Sequence, residues 1–316
     1  MLLKQNKKFE VYNKYIIKKL PKNWGNIIGG KKRYNQLIEE GKFKQHHKIM
    51  IINKMKKIKS KRIKLPKKSR YFIFIKKQNI PLKPLLQTML FTDGHINEKK
   101  NLIFYTSKSF ELINIFCDII LEFCKNKPRI LLRRGNMYEF YLYDPNLVKL
   151  LLSLSPTYTT KVDSKPSLEF ISKQSNKTLI ECLRLAMTTD GCIVMAQERK
   201  NSFKIRPKLV FSCFNERLLK EWQEIFNRVD FDSYLIKKNN KYIGLITTNI
   251  NILKKFYYYG GFIEGVKISK KSKRFNGYNK NDLLKISLNI NQFHSWKELK
   301  QKLELKGPVA QLGSNF

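Results

Sequence analysis

The sequence predicts an α+β protein built from two pseudo-symmetric αββαββα halves behind a basic N-terminal extension. Three observations carry that expectation. A short pattern occurs twice, the same order of helix and strand signals follows each copy, and the charge sets the first quarter of the chain apart. The two copies are LQTMLFTDG at residues 86–94 and LRLAMTTDG at residues 183–191, each a helical run ending in Thr-Asp-Gly. Self-similarity of this kind marks a duplicated structural unit.

Each copy continues as a β-hairpin signal, with Asn101–Thr106 and Lys208–Ser212 as the second strands. Amphipathic helices follow over Ser107–Phe123 and Cys213–Val229, where Leu112, Ile113, Phe116 and Ile119 align with Leu218, Leu219, Trp222 and Ile225. Second hairpins pair Ile130–Arg134 with Tyr138–Tyr143, and Tyr234–Lys238 with Tyr242–Thr247. Their turns, Arg133-Arg134-Gly135-Asn136 and Lys237-Lys238-Asn239-Asn240, share charge and turn chemistry. Closing helices are expected near Asn146–Leu154 and Ile250–Tyr259. The motif aspartates lie 97 residues apart and the later elements 106 apart, so the second half has the longer first hairpin. Asn281–Leu288 and Trp296–Leu303 read as trailing helices. The expected division is 1–80 basic extension, 81–168 first half, 169–306 second half and 307–316 tail.

The chain has 316 residues with 64 Lys+Arg against 24 Asp+Glu, a formal charge of +40, yet it is 42% hydrophobic and 12% aromatic. That apolar content suffices for packed cores, so the charge does not imply disorder. A compact body so charged repels itself unless polyanions neutralise it, which points to nucleic acid. A membrane partner is disfavoured, because runs such as Tyr71 to Ile75 are too short to span a bilayer. Met1-Leu2-Leu3 meets Lys4 with no apolar segment between, and an intracellular, non-secreted protein is expected. Five cysteines (Cys117, Cys124, Cys182, Cys192 and Cys213) form no CxxC pair, which argues for a reducing compartment and against structural zinc. Residues 1–80 hold 25 basic residues and three acids (Glu10, Glu39, Glu40), a local charge of +22. Within them, Lys54 to Arg70 reads as a solvated strap that tracks phosphates or as a disordered extension. Trp24–Ile52, broken at Gly29-Gly30 and with Gly41 as a helix-ending residue, reads as a helix pair of the DNA-reading kind or as a plain hairpin. His46-His47 reads as a surface pair.

Small or slim Thr88 and Ala186, with Leu90 and Met187 nearby, let the two motif helices pack closely, which brings Asp93 and Asp190 together at their C-terminal ends. Two carboxylates in one site repel unless a divalent cation bridges them, and oxygen ligands suit Mg²⁺ or Mn²⁺. Gly94 and Gly191 are expected to turn the chain sharply into the first strand. His95, opposite Cys192 in the alignment, is expected to be non-catalytic.

The two motifs, each followed by the same strand–helix–strand pattern over about residues 80–290, resemble those of the LAGLIDADG homing endonucleases of the double-motif, single-chain type. The resemblance implies two four-stranded sheets forming a DNA-binding saddle and a monomer that homes introns by cutting double-stranded DNA. It implies Asp93 and Asp190 as metal ligands and catalytic residues in Mg²⁺- or Mn²⁺-dependent phosphodiester hydrolysis. Lysines beyond the closing helices complete the site in that family, which makes Lys161 and Lys267 the candidates here. Phe104 and Val210 stand where that family often has a polar residue, which leaves that role unassigned.

Expected DNA contacts are Asn97, Lys99, Lys100, Tyr105, Arg129, Arg133 and Arg134 from the first half. From the second they are Gln197, Arg199, Lys204, Arg206, Lys208, Lys237, Lys238 and Lys241, with base contacts on alternating strand residues and cations on phosphates. The loop at 269–274 is a further expected phosphate contact. Two other readings use the same scaffold: a maturase that binds intron RNA, and a DNA-binding regulator that does not cut.

Overall fold

The computed structural model describes residues 61–63, 67–133, 136–197, 205–268, 275 and 277–290, with isolated positions 35, 39, 41, 298, 299 and 301. The chain divides into two units, Met1–Lys59 and Ser60–Phe316, and both motifs belong to the second. Of the expected helix pair at Trp24–Ile52 only Asn35, Glu39 and Gly41 are described, Gly41 at φ 65°; the loop at 269–274 lies outside the described residues, as does most of Trp296–Leu303.

The second unit opens with strand β1 (Lys61–Arg62) and helix α1 (Arg70–Lys77). The solvated strap expected over Lys54–Arg70 is therefore partly built into the fold. Lys61 and Arg62 pair with Leu132 and Leu131, and the Ile63 amide donates to the Ile130 carbonyl. Ser69 then caps α1 by accepting from the Phe72 amide, so this body begins before the boundary expected at residue 80. A β ladder supplies what the charge pattern could not show, since strand edges recruit backbone whatever the side chains.

Helix α2 (Leu82–Thr92) carries the first motif and leads into β2 (Gly94–Asn97), a single 3₁₀ turn (Glu98–Lys100) and β3 (Leu102–Ser107). Helix α3 (Phe110–Ile120), strands β4 (Arg129–Arg133) and β5 (Met137–Tyr143) and helix α4 (Pro145–Leu154) complete the set. After the short α5 (Glu169–Ser172), α6 (Asn176–Thr189) carries the second motif. Strands β6 (Gly191–Gln197) and β7 (Ile205–Ser212), α7 (Glu216–Arg228), β8 (Tyr234–Lys238), β9 (Lys241–Thr247) and α8 (Ile250–Tyr258) repeat the order. Helix α9 (Lys280–Leu288) comes last.

Both sheets are antiparallel. The second has the order β6-β7-β9-β8, and the first has the corresponding order β2-β3-β5-β4 with β1 added at its edge, so it holds five strands rather than the expected four. Local chemistry sets the boundaries. Asp144, Ser175, Asn215 and Asn279 cap the N-termini of α4, α6, α7 and α9 through their side chains. Asn239 and Asn240, both at positive φ (48° and 59°), make the tight β8–β9 turn that two-residue hairpins favour.

Each sheet turns one face to the core. Tyr105 stacks on Phe116 at 4.3 Å in the first half, and Phe211 meets Trp222 edge-on at 5.8 Å in the second. Helices α2 and α6 lie inside this core and pack on each other, so both are buried on nearly every side. Thr88 and Ala186 are both wholly buried, and the Thr88 hydroxyl meets the Cys182 thiol of the facing helix. Helix α1 is tied to the same pair. The Tyr71 hydroxyl donates to Glu181 at 2.8 Å, Arg184 pairs with Glu181 at 2.9 Å, and its guanidinium also donates to the Gly260 and Gly261 carbonyls. A buried ion pair in which every guanidinium nitrogen is bonded holds its partners in one geometry. Among the described residues no helix is long and apolar enough to cross a membrane.

Candidate catalytic centre and nucleic-acid face

Asp93 and Asp190 are the C-cap residues of α2 and α6, with near-identical backbones (φ −105°, ψ 8° and φ −99°, ψ −2°). Each is fixed at both backbone groups. The Asp93 amide donates to Met89 and its carbonyl accepts from the Thr106 amide, while the Asp190 amide donates to Ala186 and its carbonyl accepts from the Ser212 amide. The carboxylates therefore leave rigid anchors where helix, turn and second strand meet. The glycines after them serve a different purpose from the one expected. Neither has a positive φ. A Cβ on Gly94 would stand 2.5 Å from the Leu90 Cα, and one on Gly191 would stand 2.5 Å from the Met187 carbonyl oxygen. Close approach of the strand to the last helical turn excludes a side chain there.

Both aspartates are half-buried. Burial pushes the Asp93 carboxyl up to about 6, against the pull of the Lys280 charge. Asp190 is pushed up to about 8, by burial first and then by the charge of Asp93, with Lys280 again opposing. Loss of solvent and like-charge repulsion both disfavour the ionised form. The carboxylates thus share one electrostatic site.

The lysine of that site is one that sequence reasoning missed. Lys280 is 7% exposed, and its ammonium donates to the carbonyl oxygens of Thr188 and Gly191 at 2.6 Å each. Burial lowers it to about 8, while Cys192, Asp190 and Asp93 raise it. It occupies the first turn of α9, where the helix dipole disfavours a cation. A buried lysine there is held by what it meets, not by local preference. The one sequence signal for it was its place directly after the Asn279 cap. Lys161 and Lys267 are both exposed. The Lys161 carbonyl accepts from the Asn215 amide, and Lys267 bridges to Asn279, beside Lys280, through its backbone. Of the three lysines, Lys280 is the one whose charge acts on the two carboxylates.

Tyr105, expected at a DNA surface, is wholly buried. Strand alternation turns it to the core, where its hydroxyl has no hydrogen-bond partner and is held well above its ordinary value by burial and by the charges of Asp93 and Asp190. An orphaned buried hydroxyl in the field of two carboxylates is an expected feature beside a polar site that takes water or an ion. The donors fit a hard divalent ion. Two carboxylates supply oxygen ligands, and no group of three or more His, Cys, Asp or Glu forms a cage among the described residues. Such an ion would keep several waters or phosphate oxygens, as Mg²⁺ does. Cys192 and Cys213 are nearby thiols that burial pushes up, and neutral thiols are poor ligands. His95 is exposed on β2.

The remaining expected DNA contacts scatter. Lys99 and Lys100 are exposed on the 3₁₀ turn, and the Asn97 side chain accepts from the Lys100 amide. Arg129 is exposed; Arg133 pairs with Glu139 at 2.7 Å, and the Tyr141 hydroxyl donates to the same carboxylate at 2.6 Å. Arg206 is exposed and Lys208 half-buried on β7, while Lys237, Lys238 and Lys241 are exposed at the β8–β9 turn. Arg134, Arg199 and Lys204 lie outside the described residues, and of Gln197 only the backbone, in β6, is described.

No family profile and no curated protein sequence matches the chain. Solved structures match it remotely. Full-length DUF199/WhiA from Thermatoga maritima is 10% identical, with 72% of this chain and 68% of that chain covered at a TM-score of 0.41. Mesophilic variants of the homing endonuclease I-DmoI are 16% identical, covering 56% and 93% at 0.40. The homing endonuclease I-WcaI bound to its DNA recognition sequence is 15% identical, covering 65% and 93% at 0.40.

Proposed function

We propose that the chain is a site-specific endonuclease of the LAGLIDADG homing type that cuts both strands of a long double-stranded DNA target. One observation carries the reading: two half-buried carboxylates, from the ends of two packed motif helices, share a site with one buried lysine in a chain of charge +40. Asp93 and Asp190 would hold Mg²⁺ or Mn²⁺, which would supply an activated water and stabilise the charge that develops on the scissile phosphates. Lys280 adds a fixed positive charge close to both carboxylates, which eases their mutual repulsion and attracts a phosphate. The exposed Lys161 and Lys267, with the cations of the strands and turns, would hold the DNA backbone and give binding a steep salt dependence. Both carboxylates come from one chain, so a monomer suffices. The two halves act as a pseudo-symmetric pair, one for each strand.

Lys280 also favours a second reading, in which the protein binds nucleic acid without cutting it, as a regulator or an intron maturase would. Its ammonium already offsets part of the carboxylate charge with no metal. A randomised duplex library incubated with the protein in Mg²⁺, beside an Asp93→Asn/Asp190→Asn variant, separates the two. Discrete ends made by the wild type alone support the endonuclease. Tight binding with intact DNA, in Mg²⁺ and in Mn²⁺, selects the second reading.

A further inference from the structure

An antiparallel sheet with one face on a core and the other in water alternates apolar and polar residues. Here the inward set obeys that rule, with Ile103, Phe140, Leu209 and Leu245 all in the core. The opposite set is mixed: Asn97, Thr106, Glu139 and Lys208 share it with a largely apolar row in each sheet. Cross-strand register lines up His95, Phe104, Tyr141 and Arg129 across the first sheet. The equivalent row of the second sheet is Cys192, Val210, Ile246 and Tyr234. Phe104, Tyr141, Val210 and Ile246 are half-buried, yet none of the four belongs to the hydrophobic core. Further out, Val194 is 38%, Tyr143 61% and Tyr234 70% exposed. Each row starts at the residue directly after Gly94 or Gly191, so both flank the aspartates.

We propose that these two rows read the C5-methyl groups of thymines in the major groove on either side of the cut, which makes the centre of the target rich in A·T pairs. The inference rests on the nucleic-acid reading above and adds what kind of base the saddle prefers. Charge selects the partner, since Arg129, Lys208 and Lys238 lie on the same strands in a chain of charge +40. Chemistry then selects the base. Of the groups that distinguish the base pairs in the major groove, the thymine methyl is the one bulky apolar group. A G·C edge against Val210 and Ile246 would lose water without gaining a partner. Stacking of unpaired bases fits less well. Phe104 and Tyr141 lie against each other, 4.9 Å apart and tilted by 53°, and the second row puts an aliphatic pair at the same place.

The test compares binding of the full chain, in EDTA, to short alternating A-T duplexes and to the same duplexes with deoxyuridine for thymidine, which lack only the methyl. Thymine duplexes should bind tighter by about fourfold per methyl engaged, or roughly fifteenfold for one in each row. A folded Val210→Thr/Ile246→Thr variant should lose much of that preference and bind the uridine duplex unchanged. Val194→Ser, at a more exposed site, should lower it by a smaller factor and guards against a folding failure of the pair. Equal affinity for both duplexes overturns the proposal but leaves the endonuclease reading intact, because cutting of the library is scored separately. Tighter binding of single-stranded oligo(dT) than of either duplex overturns it in favour of stacking. Failure to bind any nucleic acid sinks both readings.

Discussion

The two halves share a strand order and a motif, and they have diverged in what they bring to the centre and to the open sheet face. The second half supplies Lys280, and the middle of its equivalent row is the aliphatic pair Val210 and Ile246. The first half supplies no such lysine among the described residues. Its face is aromatic, with a carboxylate, Glu139, that binds both Arg133 and Tyr141. What the two halves share is what the backbone needs, namely the helix ends, the glycines and the hairpin carbonyl contacts. The differences fall on side chains of the centre and of the open face.

The largest expected effect tests whether one half alone provides the central cation. Lys280→Met should reduce DNA cutting by on the order of a hundredfold or more, the scale for losing a fixed charge at a reacting phosphate. Lys161→Met and Lys267→Met should each stay within a few-fold of wild type in single-turnover cutting. A large loss from Lys161→Met would restore a lysine to each half and break the comparison.

The next effect should be equal in the two halves. Gly94→Ala and Gly191→Ala each force a Cβ to within 2.5 Å of helix backbone, and overpacking of that kind costs about 1–3 kcal/mol. Urea denaturation should place the two variants close together. A much milder Gly191→Ala would show that the second half can relax where the first cannot.

The last effect concerns pH. In EDTA the folded-state values of Asp93 (about 6) and Asp190 (about 8) lie above the ordinary carboxylate value of 3.8. The folded chain then binds more protons than the unfolded one between those values. Stability from these groups is present below about pH 4 and is lost as pH rises through 6 and then 8. Asp190→Asn should flatten the Tm profile above pH 6 more than Asp93→Asn does. Lys280 acts in the other direction, and only above about pH 8, because its value is lowered from 10.5.

Much of the backbone was legible in the residues. The paired Thr-Asp-Gly motifs, the aligned apolar positions of α3 and α7 and the Asn-rich turn at 239–240 all act locally or at a fixed spacing. The sheets and helices accordingly form close to the expected ranges. The five-stranded edge was not legible, because Lys61–Arg62 pairs through backbone groups that carry no side-chain signature. Nor was the inward turn of Tyr105, which depends on strand phase and not on residue type.

Composition, periodicity and repetition were enough to indicate the class of fold and the order of helices and strands after each motif, and to raise the expectation of a polyanion partner. Folding in three dimensions was needed to show which of the many lysines is buried beside the motif aspartates, why the glycines are needed, and that the open sheet faces carry apolar rows. Those depend on which residues distant in the chain come within a few ångströms of each other, and a matched spacing records relatedness between halves without recording that contact.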